Sequence, residues 1–172
     1  MSILNITDFN SGRYKIPLNP EQNTDLQIQI DYVENYYLKR LFGIDLYNLF
    51  IADLALPVVG EPTDPRFVKV FDSFDYQYTN DCIYTSEGIK EMLKGLTYFY
   101  YLRDLNKIVT TVGTTIAKSA NSENVSALWA NVTSRYNESV DTFNVIQLYM
   151  NNFNSVDYPE FEGNGICKVN QF

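Results

Sequence analysis

Val125, Leu128, Trp129, Val132, Tyr136, Val140, Phe143 and Ile146 recur at intervals of three and four residues. Only an α-helix puts such a series on one face. The spacing predicts a helix capped by Asn121 or Ser122 and ending near Asn151 and Asn152. A helix this long with one apolar side must lie against other elements. Each large side chain it buries contributes roughly 1.5–3 kcal/mol, so this face can anchor a bundle.

The rest of the chain supplies matching helices. Leu26, Ile30, Val33, Tyr37 and Leu41 share a face of a helix that starts near Asn23 or Thr24 and is ended by Gly43. A shorter helix from Ile44 to about Ala55, with Leu46, Leu49, Phe50 and Asp53 in period, stops before Pro57. Asp64 and Pro65 suit the cap and first position of a short helix to Phe71. A further helix opens at Thr85 or Ser86, with Ile89, Met92, Leu93, Leu96, Phe99 and Tyr100 in register. Within it, Tyr98 to Leu102 is apolar all round. That pattern belongs to a central helix of the bundle, or to one with a side against a neighbouring subunit.

Two segments break the helical pattern. Phe74, Tyr76 and Tyr78 alternate with Asp75, Gln77 and Thr79, which is a strand period, and Asn80-Asp81 turns it back into Cys82–Tyr84. Ile108–Lys118 is β-branched and reads as two short strands with Gly113 at or beside the turn. The expected fold is mainly α: a bundle of three to four main helices over residues 23–152, with a small β-hairpin at 108–118. Extended arms over 1–22 and 153–172 flank it. Both arms hold prolines or glycines and lack a period. The last one nevertheless carries Phe153, Tyr158, Phe161, Ile166, Val169 and Phe172, so either the bundle or a partner must cover it.

At 172 residues the chain suits one domain. Its net charge of −8 and lack of a basic stripe disfavour direct binding to nucleic acid or anionic membranes. No segment approaches the roughly 18 uncharged apolar residues of a membrane span, and Met1–Asn10 does not read as a signal peptide. The 14 Tyr and 11 Phe are an unusual load. Most such rings are core, but tyrosine also suits partly wet interfaces. Cys82 and Cys167 allow a structural pair or two free buried thiols, and free thiols are favoured for a reducing cytoplasm.

Equipment for catalysis is sparse. The absence of histidine removes the commonest general base and the usual zinc spacings. Phosphate-cradling and nucleophile-elbow glycine motifs are missing. Asp72 with Asp75 and Glu87 with Glu91 have the spacing of carboxylate pairs, which more commonly marks a solvated face. Asp157, Glu160 and Glu162 form an acidic run without an EF-hand pattern. Lys94, Arg103 and Lys107 make the Thr85/Ser86 helix more basic than the rest, which suits a solvated face or pairing with an acidic patch on another copy. No catalytic residue, cofactor or metal is expected.

The order of features carries a resemblance. Gly88-Ile89-Lys90 through Tyr98-Phe99-Tyr100-Tyr101, then Arg103-Asp104, Thr111-Val112-Gly113, Lys118, Asn121-Ser122-Glu123, Tyr136-Asn137, Gln147-Leu148-Tyr149 and Tyr158-Pro159-Glu160-Phe161 resemble the head–tail connector proteins (adaptors, or neck rings) of tailed bacteriophages, most closely those of crAss-like phages. The resemblance covers roughly residues 20–165 and is one of order and residue type. It implies a virion structural protein, made in the host cytoplasm and placed in the neck between capsid and tail. There it forms a ring of about twelve copies, bound to the portal protein on one side and a tail-side ring protein on the other. DNA would pass through without sequence-specific binding, and an acidic lining would keep it from sticking. The expected protein contacts are the hairpin residues Thr111, Val112, Gly113, Thr114, Thr115 and Ile116, and the tail residues Tyr158, Phe161, Ile166, Val169 and Phe172. On that expectation, removal of 155–172 leaves a folded helical monomer. The alternative reading is a small protein-binding regulatory or inhibitory module.

Overall fold

The computed structural model describes residues 2–17, 20–55, 60–79, 82–105, 107–110, 113–116, 122–153 and 155–166, with the side chains of 20–21, 79 and 107–128 excepted. Its helices are α1 (Pro20–Phe42), α2 (Ile44–Leu54), α3 (Pro65–Phe71), α4 (Gly88–Leu105) and α5 (Ser122–Asn152). Two antiparallel hairpins join them, β1 (Phe74–Thr79) with β2 (Cys82–Ser86), and β3 (Lys107–Thr110) with β4 (Gly113–Ile116). The mainly α architecture expected from the sequence is what forms.

α4 is the central helix, packed chiefly on α5 and also on α1 and α3. Ile89, Met92, Leu93 and Leu96 are fully buried, and Tyr98, Tyr100 and Leu102 lie against the core. The run that is apolar all round is therefore covered largely by its own chain. Gly95 sets the α4–α5 approach. A methyl group there would collide with Ser139 Oγ and lie 3.1 Å from the Arg135 carbonyl oxygen. Ser139 Oγ itself donates to that carbonyl at 3.0 Å.

Helix ends follow the local chemistry. Asp64 accepts from the Arg66 N–H at 3.0 Å, with Pro65 in the first turn. Gly43, at φ 79°, ends α1 and opens α2 in a conformation that a side chain disfavours. α4 starts later than the sequence suggests, because Thr85 and Ser86 complete β2 in pairing with Asp75 and Phe74. Gly88 then has φ 85°, and a Cβ on it would lie 2.7 Å from the Asp72 carbonyl carbon. In β1, Phe74 and Tyr76 face the core as the alternation predicts, against Tyr149 of α5 at 5.0 and 5.3 Å. Tyr78 departs from it and is exposed, at an irregularity in register between Gln77 and Thr79. Gly113 opens β4, beside the turn.

The arms are the main correction. Residues 2–17 do not extend away. They form two short 3-10 turns, Ile6–Phe9 and Gly12–Tyr14, and bury Leu4, Phe9, Tyr14 and Ile16. α1 begins at Pro20, three residues before the expected start. The described part of the tail folds back across the end of α1. The Glu162 N–H donates to the Phe42 carbonyl at 3.2 Å and the Asn164 N–H to the Arg40 carbonyl at 2.7 Å. Gln147 of α5 donates to the Arg40 and Leu41 carbonyls at 3.0 and 3.2 Å. Tyr158 is 1% exposed, and its hydroxyl donates to the Arg66 carbonyl at 2.6 Å. The physical reason is simple: the last turn of a helix leaves carbonyls without intrahelical partners, and the tail supplies N–H groups and rings at that place.

Two outcomes test this packing. Gly95→Ala normally stabilises a helix interior by about 1 kcal/mol. Here it is expected to destabilise by about 1–3 kcal/mol in urea unfolding, and adding Ser139→Ala restores part of the loss. Tyr158→Ala is expected to cost about 3–5 kcal/mol and Tyr158→Phe about 1 kcal/mol. A chain ending at 154 then unfolds at lower urea than the full chain, rather than remaining an intact monomer.

Candidate functional site

α1 carries two apolar stripes. Leu26, Ile30, Val33, Tyr37 and Leu41 are buried, whereas Ile28, Tyr32 and Tyr36 are 59%, 50% and 41% exposed. Four-residue spacing places these three one above another along the helix. The Tyr32 and Tyr36 rings stack at 5.7 Å, and Tyr32 meets the edge of Tyr100 in α4 at 6.2 Å. Arg40 Nη1 donates to the Tyr36 hydroxyl at 2.9 Å, and the Arg103 guanidinium lies 4.5 Å over the Tyr100 ring. Beneath them the Tyr37 and Tyr100 hydroxyls share a hydrogen bond of 2.6 Å. Burial, then the bond to Tyr100, pushes the Tyr37 phenol far above its ordinary range, so it remains protonated. The ridge is thus a set of large rings held by their neighbours. Covering such rings immobilises little that is still mobile, which favours a contact surface.

The β1–β2 hairpin also exposes Tyr78, Ile83 and Tyr84, but Ile83, opposite Gln77, and Tyr84, opposite Tyr76, lie on opposite faces of it. Cys82 beside them is a free thiol, but exposed rather than buried. Cys167 lies outside the described residues.

The contact residues expected from the sequence scatter. Gly113, Thr114, Thr115 and Ile116 form β4, while Thr111, Val112, Val169 and Phe172 lie outside the described residues. Tyr158 is a correction: its ring belongs to the chain's own core and leaves no area for another chain. Phe161 and Ile166 are half-buried against the same core. The sequence reading missed Ile28, Tyr32 and Tyr36, although a second i, i+4, i+8 apolar series on α1 was the signal that pointed to them.

The acidic and basic groups pair with each other. Glu87 meets Arg13 at 2.8 Å, Glu91 meets Lys94 at 2.5 Å, and Asp75 accepts from Thr85 at 2.7 Å. Arg103 reaches Asp104 at 3.0 Å and Arg66 reaches Glu160 at 3.4 Å. Arg13 also pairs with Glu138, which fastens the N-terminal segment to α5. Among the described residues no three His, Cys, Asp or Glu side chains group as metal ligands, and no helix is long and apolar enough to cross a membrane.

Glu34 is the one buried carboxylate among the described residues, at 6% exposed. It accepts from the Ile3 and Leu4 N–H groups at 3.0 and 2.7 Å and from Ser2 Oγ at 3.0 Å. Burial raises its pKa, and the bonds from Leu4, Ser2 and Ile3 oppose that rise without cancelling it. Its acceptor positions are taken by the N-terminal segment, which makes it a clasp. Compared with known proteins, the chain matches no family model, no curated sequence and no solved structure.

A pH prediction follows from Glu34. A carboxyl whose folded pKa lies above its unfolded value stabilises fully below the unfolded value, and that contribution fades as pH rises through the folded value. Urea midpoints measured from pH 4 upward should therefore show a falling contribution that Glu34→Gln removes. Glu34→Ala should instead cost about 1–3 kcal/mol across the whole range, because two buried N–H groups lose their acceptor.

Proposed function

We propose that the chain is a virion structural protein, a head–tail connector whose copies form a ring that binds the portal and extends the DNA channel between capsid and tail. The observation that carries the proposal is the exposed ridge of Ile28, Tyr32 and Tyr36, backed by Tyr100. A ring needs two different complementary surfaces on each copy, because the contact is head-to-tail. The ridge supplies one, and the face of the β1–β2 hairpin that carries the exposed Ile83 supplies the other, on a different element. The resemblance of the chain's feature order to phage connectors supports the same reading. Because the described parts of both arms are spent on the chain's own core, the ring contacts fall to these faces rather than to arms reaching outward. The β3–β4 hairpin with its tip over 111–116, and the tail residues Val169 and Phe172, keep the role of intersubunit or portal contacts in this proposal.

The test is association. Mixed with portal rings of the virus that encodes it, the chain should sediment as a stoichiometric ring bound to portal. Tyr32→Asp with Tyr36→Asp should keep the helical signal but lower the urea midpoint, because it removes the Tyr100 and Arg40 contacts; Tyr32→Ser alone is the milder control. The double variant should weaken ring formation about thirtyfold or more, the scale of a tyrosine hot spot. Unchanged association in that variant, or a stable one-to-one complex with a single non-virion protein, would overturn the proposal in favour of a regulatory module.

A further inference from the structure

The tyrosine ridge ends in positive charge. Lys39 and Arg40 follow Tyr36 by three and four residues, so they stand beside it one turn further along α1. Arg40 Nη1 donates to the Tyr36 hydroxyl and Nη2 to the Gly165 carbonyl at 3.1 Å, while Lys39 Nζ lies 5.4 Å over the Tyr47 ring. Neither cation meets a carboxylate among the described residues. The β1–β2 hairpin has the opposite character. Between Lys69 and Lys90 the chain carries Asp72, Asp75, Asp81 and Glu87 and no lysine or arginine. Asp75 lies on the face of the hairpin turned from the core, with Gln77, Ile83 and Thr85, and all four are exposed. Asp75 Oδ1 accepts from Thr85, and no cation meets this carboxylate among the described residues. Ile83 beside it is 68% exposed.

We propose that the ridge of one copy takes the outer face of the next copy's β1–β2 hairpin, with Arg40 paired to Asp75 across the contact. The inference rests on the reading of this chain as a ring-forming connector. Each surface holds what the other lacks. The ridge offers large rings that end in a guanidinium without an acid, and the hairpin offers an aliphatic side chain beside a carboxylate without a base. The spacing agrees. Asp75 stands opposite Thr85 and Ile83 opposite Gln77, so Asp75 and Ile83 are diagonal neighbours about 7–8 Å apart. Successive ridge residues have Cβ atoms about 5–6 Å apart, so an Asp75 seated on Arg40 lays Ile83 over Tyr36 and Tyr32. The rings supply the area, and the charge pair fixes the register. Because the two surfaces differ, the contact repeats head to tail, as a ring requires.

The experiment reads ring formation on portal by sedimentation for full-length Arg40→Glu and Asp75→Arg chains, separately and mixed in equal amounts. Each variant alone sets like charges against each other at every contact and should weaken ring formation about tenfold or more. In the mixture the reversed ridge of one variant meets the reversed hairpin of the other, and the unaltered surfaces meet each other. Alternating copies should recover association to within about threefold of the parent. Arg40→Glu also loses its bonds to Tyr36 and Gly165, so its urea midpoint should fall. Mixing does not restore those bonds, which makes the recovery specific to the contact. Asp75→Arg gives up only the bond from Thr85, and its deficit relative to Asp75→Asn should shrink as salt rises. An Asp75→Arg chain that forms rings as the parent does would overturn the inference, and so would a mixture that fails to recover while Arg40→Glu keeps its helical signal. In either case parent rings leave the connector proposal standing, whereas a parent chain that forms no ring sinks both.

Discussion

The carbonyl oxygens at the end of α1 decide how the chain closes on itself. A helix leaves its final carbonyls without partners, and those of Arg40, Leu41 and Phe42 lie where three other parts of the chain meet. Gln147 of α5 serves the first two, and the backbone of Glu162 and Asn164 serves the first and third. Gly43 allows the tail to pass, since a Cβ there would lie 2.9 Å from the Glu162 Cβ. The same junction gathers Phe42, Phe50 and Phe67, with ring centroids 4.8 to 6.1 Å apart, so α1, α2 and α3 share one aromatic knot. Backbone satisfaction and ring packing meet here, and the tail completes the first by reaching the Phe42 and Arg40 carbonyls.

The aromatic load divides by what each ring touches. Tyr37 and Tyr158 are buried with their hydroxyls bonded, so they act as large core residues with a polar pin. Tyr32 and Tyr36 use the same chemistry outward, stacked on each other and held by Tyr100 and Arg40. Tyr101 belongs to neither group. Its ring is in the core while its hydroxyl is buried with no partner among the described residues. The first set holds the fold together, whereas the second is half-exposed on the surface of α1.

Much of the fold was legible in the sequence because helices and hairpins are local. The limits of α2 and α3, the end of α5 and the pairing of β1 with β2 follow from period, prolines, glycines and capping groups that lie within a few residues of one another. The start of α4 was not, because Ser86 satisfies two local preferences, strand end and cap, and its pairing with Phe74 across the hairpin decided between them. The ridge was half legible: Ile28, Tyr32 and Tyr36 repeat visibly, but a helix with two apolar stripes does not say which one the core will take.

The sequence by itself determined the class of fold, the helical face of α5, the glycine at 43 and the poverty of catalytic groups, since each depends on residue type and spacing alone. Tertiary structure alone decided that Tyr158 turns inward, that Glu34 clasps the N-terminal segment, and that Gly95 must remain without a side chain. Those facts rest on contacts between residues far apart in the chain, and no local pattern encodes which of two equally apolar segments will arrive first at a shared surface.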